Sequence, residues 1–262
     1  MVDVARAGGW RYVWADLHVH TILSPCAEVE MIPPLIVRRA RDLGLGLIAI
    51  ADHNAAHNVA AAIQAAEGTG LTVLPGMEVQ SREEVHLLCL FDTLAQVLAW
   101  QEQVFASLED RENDEDFFGT QLVVDATGEY LYTETRLLAG SAAMTVEQVV
   151  AGVRALGGIV LPAHVDRPSF SLITNLGFVP PGLDIAGVEL TRHADPAGVA
   201  GRWPQVARYG QVVSGDAHRQ AERAARTKFK VRTLAVDELA LALAGRDGRR
   251  VEINPDPIPN SS

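Results

Sequence analysis

Short, continuous apolar runs recur along the chain, each followed by a polar turn and a helical stretch. Residues 12–17, 47–51, 71–74, 86–91, 159–161, 185–190 and 211–214 form seven such runs. Runs of this length without polar alternation predict strands buried on both faces, as in a parallel sheet covered by helices. Pro33 and Pro34 open a helix that ends near Gly44, with Arg38, Arg39, Arg41 and Asp42 on its wet side. The alanine-rich stretch 58–67 reads as a second helix, closed by Gly68. Seven strand-and-helix units in one chain fit a closed α/β barrel better than an open sheet.

Residues 93–145 break this rhythm. Within them, 94–108 reads as an amphipathic helix, 109–116 as an exposed acidic run, and 122–124 with 130–132 as a hairpin turning at Gly128. Beyond residue 225 the pattern predicts a strand over 229–236, a helix over 237–244, a strand over 251–253 and a loose, proline-rich tail over 255–262. The expectation is one domain over 1–262, with an insertion at about 93–145 and a small C-terminal extension at about 226–262.

Composition narrows the function. Hydrophobic residues at 48% and charged residues at 21% exclude disorder. Lys plus Arg is 22 against 33 Asp plus Glu, a net charge of −11, which disfavours non-specific binding to duplex nucleic acid or anionic membranes. Two cysteines exclude a disulfide scaffold and suit a reducing cytoplasm. Asp3, Arg6 and Arg11 interrupt any secretory leader. The longest uncharged apolar run, 43–51, is far short of the roughly twenty residues that cross a bilayer. A cytoplasmic location is expected.

Six of the eight histidines lie at the ends of predicted strands, beside acidic residues. His18 and His20 follow the first run in ADLHVHT, and their i, i+2 spacing on an extended chain points both imidazoles one way. His53 ends the second run in AIADHN, Glu78 follows the third in LPGMEV, and His86 begins the fourth in EVHLLCLF. His164 ends the fifth in VLPAHVDRP, while Asp216 and His218 end the last in VVSGDAH. A barrel opens every strand's C-terminal end onto one face, so these side chains converge. One such histidine is ordinarily a hydrogen-bonded structural residue. Six with two carboxylates would leave many buried donors and acceptors without partners unless metal ions held them. His57 and His193 lack the strand-end context and read as structural.

These motifs resemble the polymerase and histidinol phosphatase (PHP) family of metal-dependent phosphoesterases. The resemblance rests on DLHVHT, ADHN, GMEV, HLLCLF, PAHVDRP and SGDAH in that order, over about residues 14–220. It implies a distorted (β/α)7 TIM-like barrel with two or three zinc, manganese or iron ions at the strand C-termini. By resemblance, His18, His20 and Asp216 would hold one ion, Glu78 would bridge to a second completed by His86 and His164, and His53 and His218 would hold a third. Many relatives have a further histidine six residues after the HxH pair, where this chain has Cys26. A thiolate there would bind zinc or iron well, although a free cysteine is as commonly a packed small residue; Glu28 or Glu30 could serve instead. Cys89, inside an apolar run, reads as core. Asp52 reads as an orienting partner of a ligand.

Clustered divalent ions suit phosphate ester hydrolysis because they clamp phosphoryl oxygens and lower the pKa of a shared water. The catalytic set is therefore expected to be Glu78, Asp216 and Arg167, with Arg167 and Arg192 gripping substrate phosphate bidentately. The expected substrate is a small phosphorylated metabolite or nucleotide. A 3′–5′ exonuclease or phosphodiesterase, an amide hydrolase and a non-catalytic metal-stabilised binding module are the alternatives. No long basic, aromatic-rich stretch favours a nucleic-acid channel.

Overall fold

The computed structural model describes residues 9–222 and 226–255. The leader region and most of the proline-rich tail, both considered above, lie outside the described residues. The strands are β1 (Arg11–Val19), β2 (Leu47–Ile50), β3 (Thr72–Gln80), β4 (His86–Leu90), β5 (Leu122–Val124), β6 (Tyr130–Thr133), β7 (Ile159–Pro162), β8 (Val188–Leu190), β9 (Gln211–Val213), β10 (Thr227–Val231) and β11 (Arg250–Ile253). The helices are α1 (Pro33–Asp42), α2 (Val59–Ala66), α3 (Leu94–Ser107), α4 (Glu115–Phe118), α5 (Val146–Ala155), α6 (Leu172–Leu176), α7 (Pro196–Arg202) and α8 (Val236–Leu243).

A seven-stranded sheet of order β11-β10-β1-β2-β3-β4-β7 curls into a half-barrel. The parallel pair β8–β9 stands at its open side. Backbone bonds tie this pair to both flanks: Ala186 N–H donates to Val160 O and Val165 N–H to Glu189 O, both at 2.9 Å. On the other flank His20 N–H donates to Ala217 O at 3.0 Å and Ala217 N–H to His18 O at 3.2 Å. Leu17, Leu47, Ala49, Leu88, Leu161 and Phe229 fill the inner face, and α1, α2, α3 and α5 pack on the outer one.

The expectation of an all-parallel sheet is corrected. β1, β2 and β3 are parallel, but β4 is antiparallel to both β3 and β7, and β10 is antiparallel to β1. Only residues 81–85 separate β3 from β4, too few for the helical crossover that a parallel return needs. The reversal matters for the site. His86 is the first residue of its strand, and the reversal lays it beside Gln80 at the edge where β3 ends.

Further boundaries shift. The sixth run yields a strand only at Val188–Leu190, and the strand expected over 229–236 is Thr227–Val231. Within 93–145, α3 buries Val97, Trp100 and Val104 in the outer-face core. Gly152 permits that contact, since a Cβ there would stand 2.5 Å from the Trp100 ring. The capping box of α3, with Thr93 accepting from Gln96 N–H and the Gln96 side chain accepting from Thr93 N–H, fixes where the helix begins. Thr93→Ala is expected to lower stability by about 1 kcal/mol in urea titrations, the usual value of an N-cap. The β5–β6 hairpin buttresses the loop after β1, where Leu122 N–H donates to Ile22 O at 3.2 Å. No helix among the described residues is long and apolar enough to cross a membrane.

Candidate metal centre

Alternation along β1 turns His18 and His20 to the same side, with their Nε2 atoms 3.1 Å apart. Their other ring nitrogens are committed. His18 Nδ1–H donates to Glu189 Oε2 at 2.8 Å. His20 Nδ1–H donates to Ser24 Oγ at 2.9 Å, and the Ser24 hydroxyl donates to Asp52 at 2.7 Å. Asp52 also accepts from the Thr21 N–H and hydroxyl, so this carboxylate holds His20 through Ser24. With both Nδ1 atoms protonated, the neutral rings present two lone pairs to each other. Two acceptors that close repel unless a proton or a cation lies between them.

Glu78, at the end of β3, is the hub. Its carboxylate oxygens lie 3.4 Å from His18 Nε2, 3.5 Å from His20 Nε2, 3.0 Å from His53 Nδ1, 2.9 Å from His86 Nδ1 and 3.2 Å from His164 Nε2. His86 is aimed by Gln80, whose Oε1 accepts from Nε2 at 3.1 Å, leaving Nδ1 for the cluster. Asp216 Oδ1 lies 3.3 Å from His20 Nε2 and 3.6 Å from His18 Nε2, and Arg167 donates to its Oδ2 at 2.8 Å. The ligand atoms group as His18–His20–Glu78–Asp216, His53–Glu78–His86 and His20–His53–His218. His53 thus joins Glu78 and His86 as well as His218. His164 and Asp216 both have left-handed backbones, with φ of 31° and 47°. Non-glycine residues adopt that region at a cost and tend to do so at functional sites.

Buried Glu78 Oε2 and His86 Nδ1 have no hydrogen-bond partner, although the imidazoles crowd them. Nitrogen and oxygen donors, buried and converging, with orphaned lone pairs turned inward, fit borderline divalent ions such as zinc, manganese or iron.

The titration behaviour agrees. Burial works against a charged His18, but Glu189, Glu78 and Asp216 overcome it and hold its pKa well above the usual histidine range. His20 is equally buried and faces His218, so it falls well below that range. Burial would raise Glu78, yet His86, His18 and His53 hold it well below an ordinary carboxylate. Asp216 is likewise lowered against its burial, chiefly by His18 and His20. Without metal, a proton on His18 would fill the gap between the two Nε2 atoms. An ion entering must displace it, so retention should weaken as pH falls.

The cluster floors a cleft of about 650 Å³ lined by Cys26, His53, His86, Arg167, Phe170, Arg192, His193, Asp216 and His218, among others. Cys26 lies on its wall. Burial opposes ionisation, but His218 and His53 bring the thiol pKa down to about 6. Glu28 turns away to Arg219 at 3.0 Å, and the Glu30 carbonyl accepts from Gln220. Cys89 is fully buried, and burial pushes its thiol up. Arg192 reaches the Gly215 carbonyl and Glu222, both at 3.4 Å. His57 stands apart, paired with Glu134 at 3.1 Å. His193, read as structural, instead lines the cleft.

Three residues that hold the site went unnoticed in the sequence. Glu189 sits in what reads as a plain apolar run, yet an acidic residue inside such a run was a signal that it has a buried partner. Ser24 and Gln80 carry no comparable mark.

The PHP-domain family model matches residues 16–153, more than half of the chain. The chain belongs to the PHP family. Its fold is shared with solved structures at low identity. The lesion-specific endonuclease PfuEndoQ from Pyrococcus furiosus superposes with a TM-score of 0.68 at 22% identity, covering 94% of this PHP chain and 60% of the endonuclease. The endonuclease Q complex with a 27-mer duplex carrying an abasic lesion at its active site gives 0.66 at 21%, with the same coverages. A protein from Bifidobacterium adolescentis assigned as a metal-dependent phosphoesterase gives 0.52 at 21%, covering 79% of this chain and 88% of its own. This PHP chain therefore spans about 60% of the length of the endonucleases it resembles. No curated protein matches it by sequence.

Proposed function

We propose that the protein is a metal-dependent phosphoesterase whose reaction takes place in the cleft above Glu78. The observation that carries this reading is the pair of Nε2 atoms on His18 and His20, 3.1 Å apart with both Nδ1 protons committed elsewhere. We assign His18, His20, Glu78 and Asp216 to one ion, and Glu78 with His53, His86 and His164 to a second. His218, His53, His20 and Cys26 are the donors for a third. We read the curled sheet with β8 and β9 as the distorted (β/α)7 barrel of the family, and place the protein in the cytoplasm on its two free thiols.

When bound, divalent ions lower the pKa of a shared water and neutralise phosphoryl charge. The chain's own residues do the rest. Glu189 and Ser24 orient His18 and His20, and Gln80 orients His86. Arg167 steadies Asp216 and faces the cleft with a further donor edge, so it can hold Asp216 and a phosphate oxygen together. Arg192 can exchange its long contact to Glu222 for a second phosphate oxygen.

A phosphodiester substrate is the second reading. It is supported by the likeness to the endonuclease over 94% of the chain and by a cleft larger than a phosphate needs. The test is hydrolysis of p-nitrophenyl phosphate and bis(p-nitrophenyl) phosphate by protein reconstituted with manganese, zinc or iron. Turnover of either ester supports the phosphoesterase, and their ratio separates monoester from diester action. No turnover, with metal bound, overturns it.

Cys26 has its own expected result. Cys26→Ser should bind one metal fewer per chain than the wild type by elemental analysis, since a serine hydroxyl is a poor ligand for zinc or iron. Equal stoichiometry would show that the thiol only packs.

A further inference from the structure

The outward face of β1, β10 and β11 carries an aromatic and basic surface that the cleft does not use. In the sheet register Tyr12 stands beside Lys230, and Trp14 beside Lys228. Lys230 and Lys228 in turn stand beside Arg250 and Glu252. Val13, Phe229 and Val231, the alternate positions, point into the core, so these side chains share the outer face. Lys230 Nζ lies 4.2 Å from the centroid of the Trp10 ring, with the Arg232 guanidinium 5.2 Å from the same ring. Lys228 Nζ lies 5.6 Å from the Tyr12 ring and 5.2 Å from that of Trp14. Trp10 is 39% and Tyr12 55% exposed. Among the described residues the side chains of Lys228, Lys230 and Arg232 have no carboxylate partner, and Glu252 is held by Arg250 at 2.6 Å.

We propose that this face binds single-stranded nucleic acid, with bases stacking on Tyr12 and Trp10 and phosphates on Lys228, Lys230 and Arg232. The whole chain carries −11 and repels polyanions, yet here unpaired cations are gathered beside exposed rings. That combination is the one that holds single strands without sequence preference, and sheet faces use it to stack unpaired bases. A duplex hides its bases and would engage the cations alone. Lys228 and Lys230 alternate along β10, roughly 6.6 Å apart at the usual rise, close to the step between phosphates of an extended strand, and Arg232 follows just past the end of β10. Tyr12 stands six residues before His18 on β1, roughly 20 Å at that rise. The face is therefore separate from the cleft, and the inference stands independently of the proposed hydrolysis.

The test is fluorescence anisotropy of a fluorescein-labelled oligothymidylate with the full chain, in chelator and low salt. Tyr12→Ala is expected to weaken binding about tenfold, as loss of one stacked base does, while Tyr12→Phe keeps it. Lys228→Gln with Lys230→Gln should flatten the log–log salt slope by about 1.4, from two phosphate contacts at roughly 0.7 each. Glu67→Gln, exposed after α2 and away from both this face and the cleft, should bind as the wild type does. Circular dichroism checks that each variant is folded. Absence of binding at low salt, affinities unchanged in folded variants, or equal affinity for duplex overturns the proposal. So does a concentration-dependent dimer that Tyr12→Ala abolishes, which would make the occupant a second copy.

Discussion

Glu78→Gln is expected to strip the protein of most of its bound metal and to reduce phosphate ester hydrolysis by more than about 100-fold. Replacing a mere orienting partner of a ligand commonly costs 10–100-fold in affinity or activity, and in the proposed arrangement Glu78 is itself the shared donor. Five imidazole nitrogens lie within 3.5 Å of its carboxylate oxygens. An amide keeps the shape but removes the negative charge, and it puts an NH2 donor where one set of lone pairs should face an ion. His18→Ala and Asp216→Ala should behave alike. The fold should survive, because the inner and outer cores contain none of these rim side chains and extend well beyond them. Elemental analysis and steady-state kinetics on folded variants check this. Near-normal turnover by Glu78→Gln would remove the carboxylate from the ligand set.

Glu189→Gln is expected to lower metal affinity by about 10–100-fold although Glu189 touches no ion in the proposed arrangement. Two effects oppose each other. Removing the Glu189 charge lets the His18 pKa fall, which reduces proton competition for Nε2 and favours metal. Against this, an amide can turn its NH2 group toward Nδ1, which stabilises the wrong tautomer and leaves Nε2 carrying the proton. The Glu189 carboxylate also accepts from His164 N–H at 3.2 Å, so its loss disturbs a second ring held in a strained backbone. Tautomer and orientation should outweigh the relief from protons. Metal titration at several pH values tells them apart: the deficit of the variant should narrow as pH falls, where wild-type His18 is protonated. Unchanged affinity at every pH would reduce Glu189 to a packing role.

Much of the site was legible because metal ligation needs unusual residue types at topologically equivalent places. An HxH pair on a strand, a lone histidine or glutamate at successive strand ends, and a DxH pair in the last one are local signals. Strand geometry says which way each side chain points before any contact is known. His18, His20, His53, Glu78, His86, His164, Asp216 and His218 all converge in the structure. The regular alternation of strand and helix was over-read at β4, where the length of the link to β3, not the hydrophobic pattern, decides strand direction.

The sequence by itself determined the α/β class, the histidines and carboxylates that converge, and the family, since these depend on residue type and short-range spacing. Only the tertiary structure decided which nitrogen of each ring faces the cluster. That depends on Glu189, Ser24 and Gln80, whose partners lie 171, 4 and 6 residues away and whose types are unremarkable alone. It also decided the aromatic and basic face. No long stretch of the chain is both basic and aromatic, but antiparallel pairing joins two short ones, WRYVW and KFKVR, laying Lys228 and Lys230 beside Trp14 and Tyr12 from the other end of the sequence. Pairing across a sheet is set by the fold as a whole, so neither short segment by itself reveals the surface that the two make together.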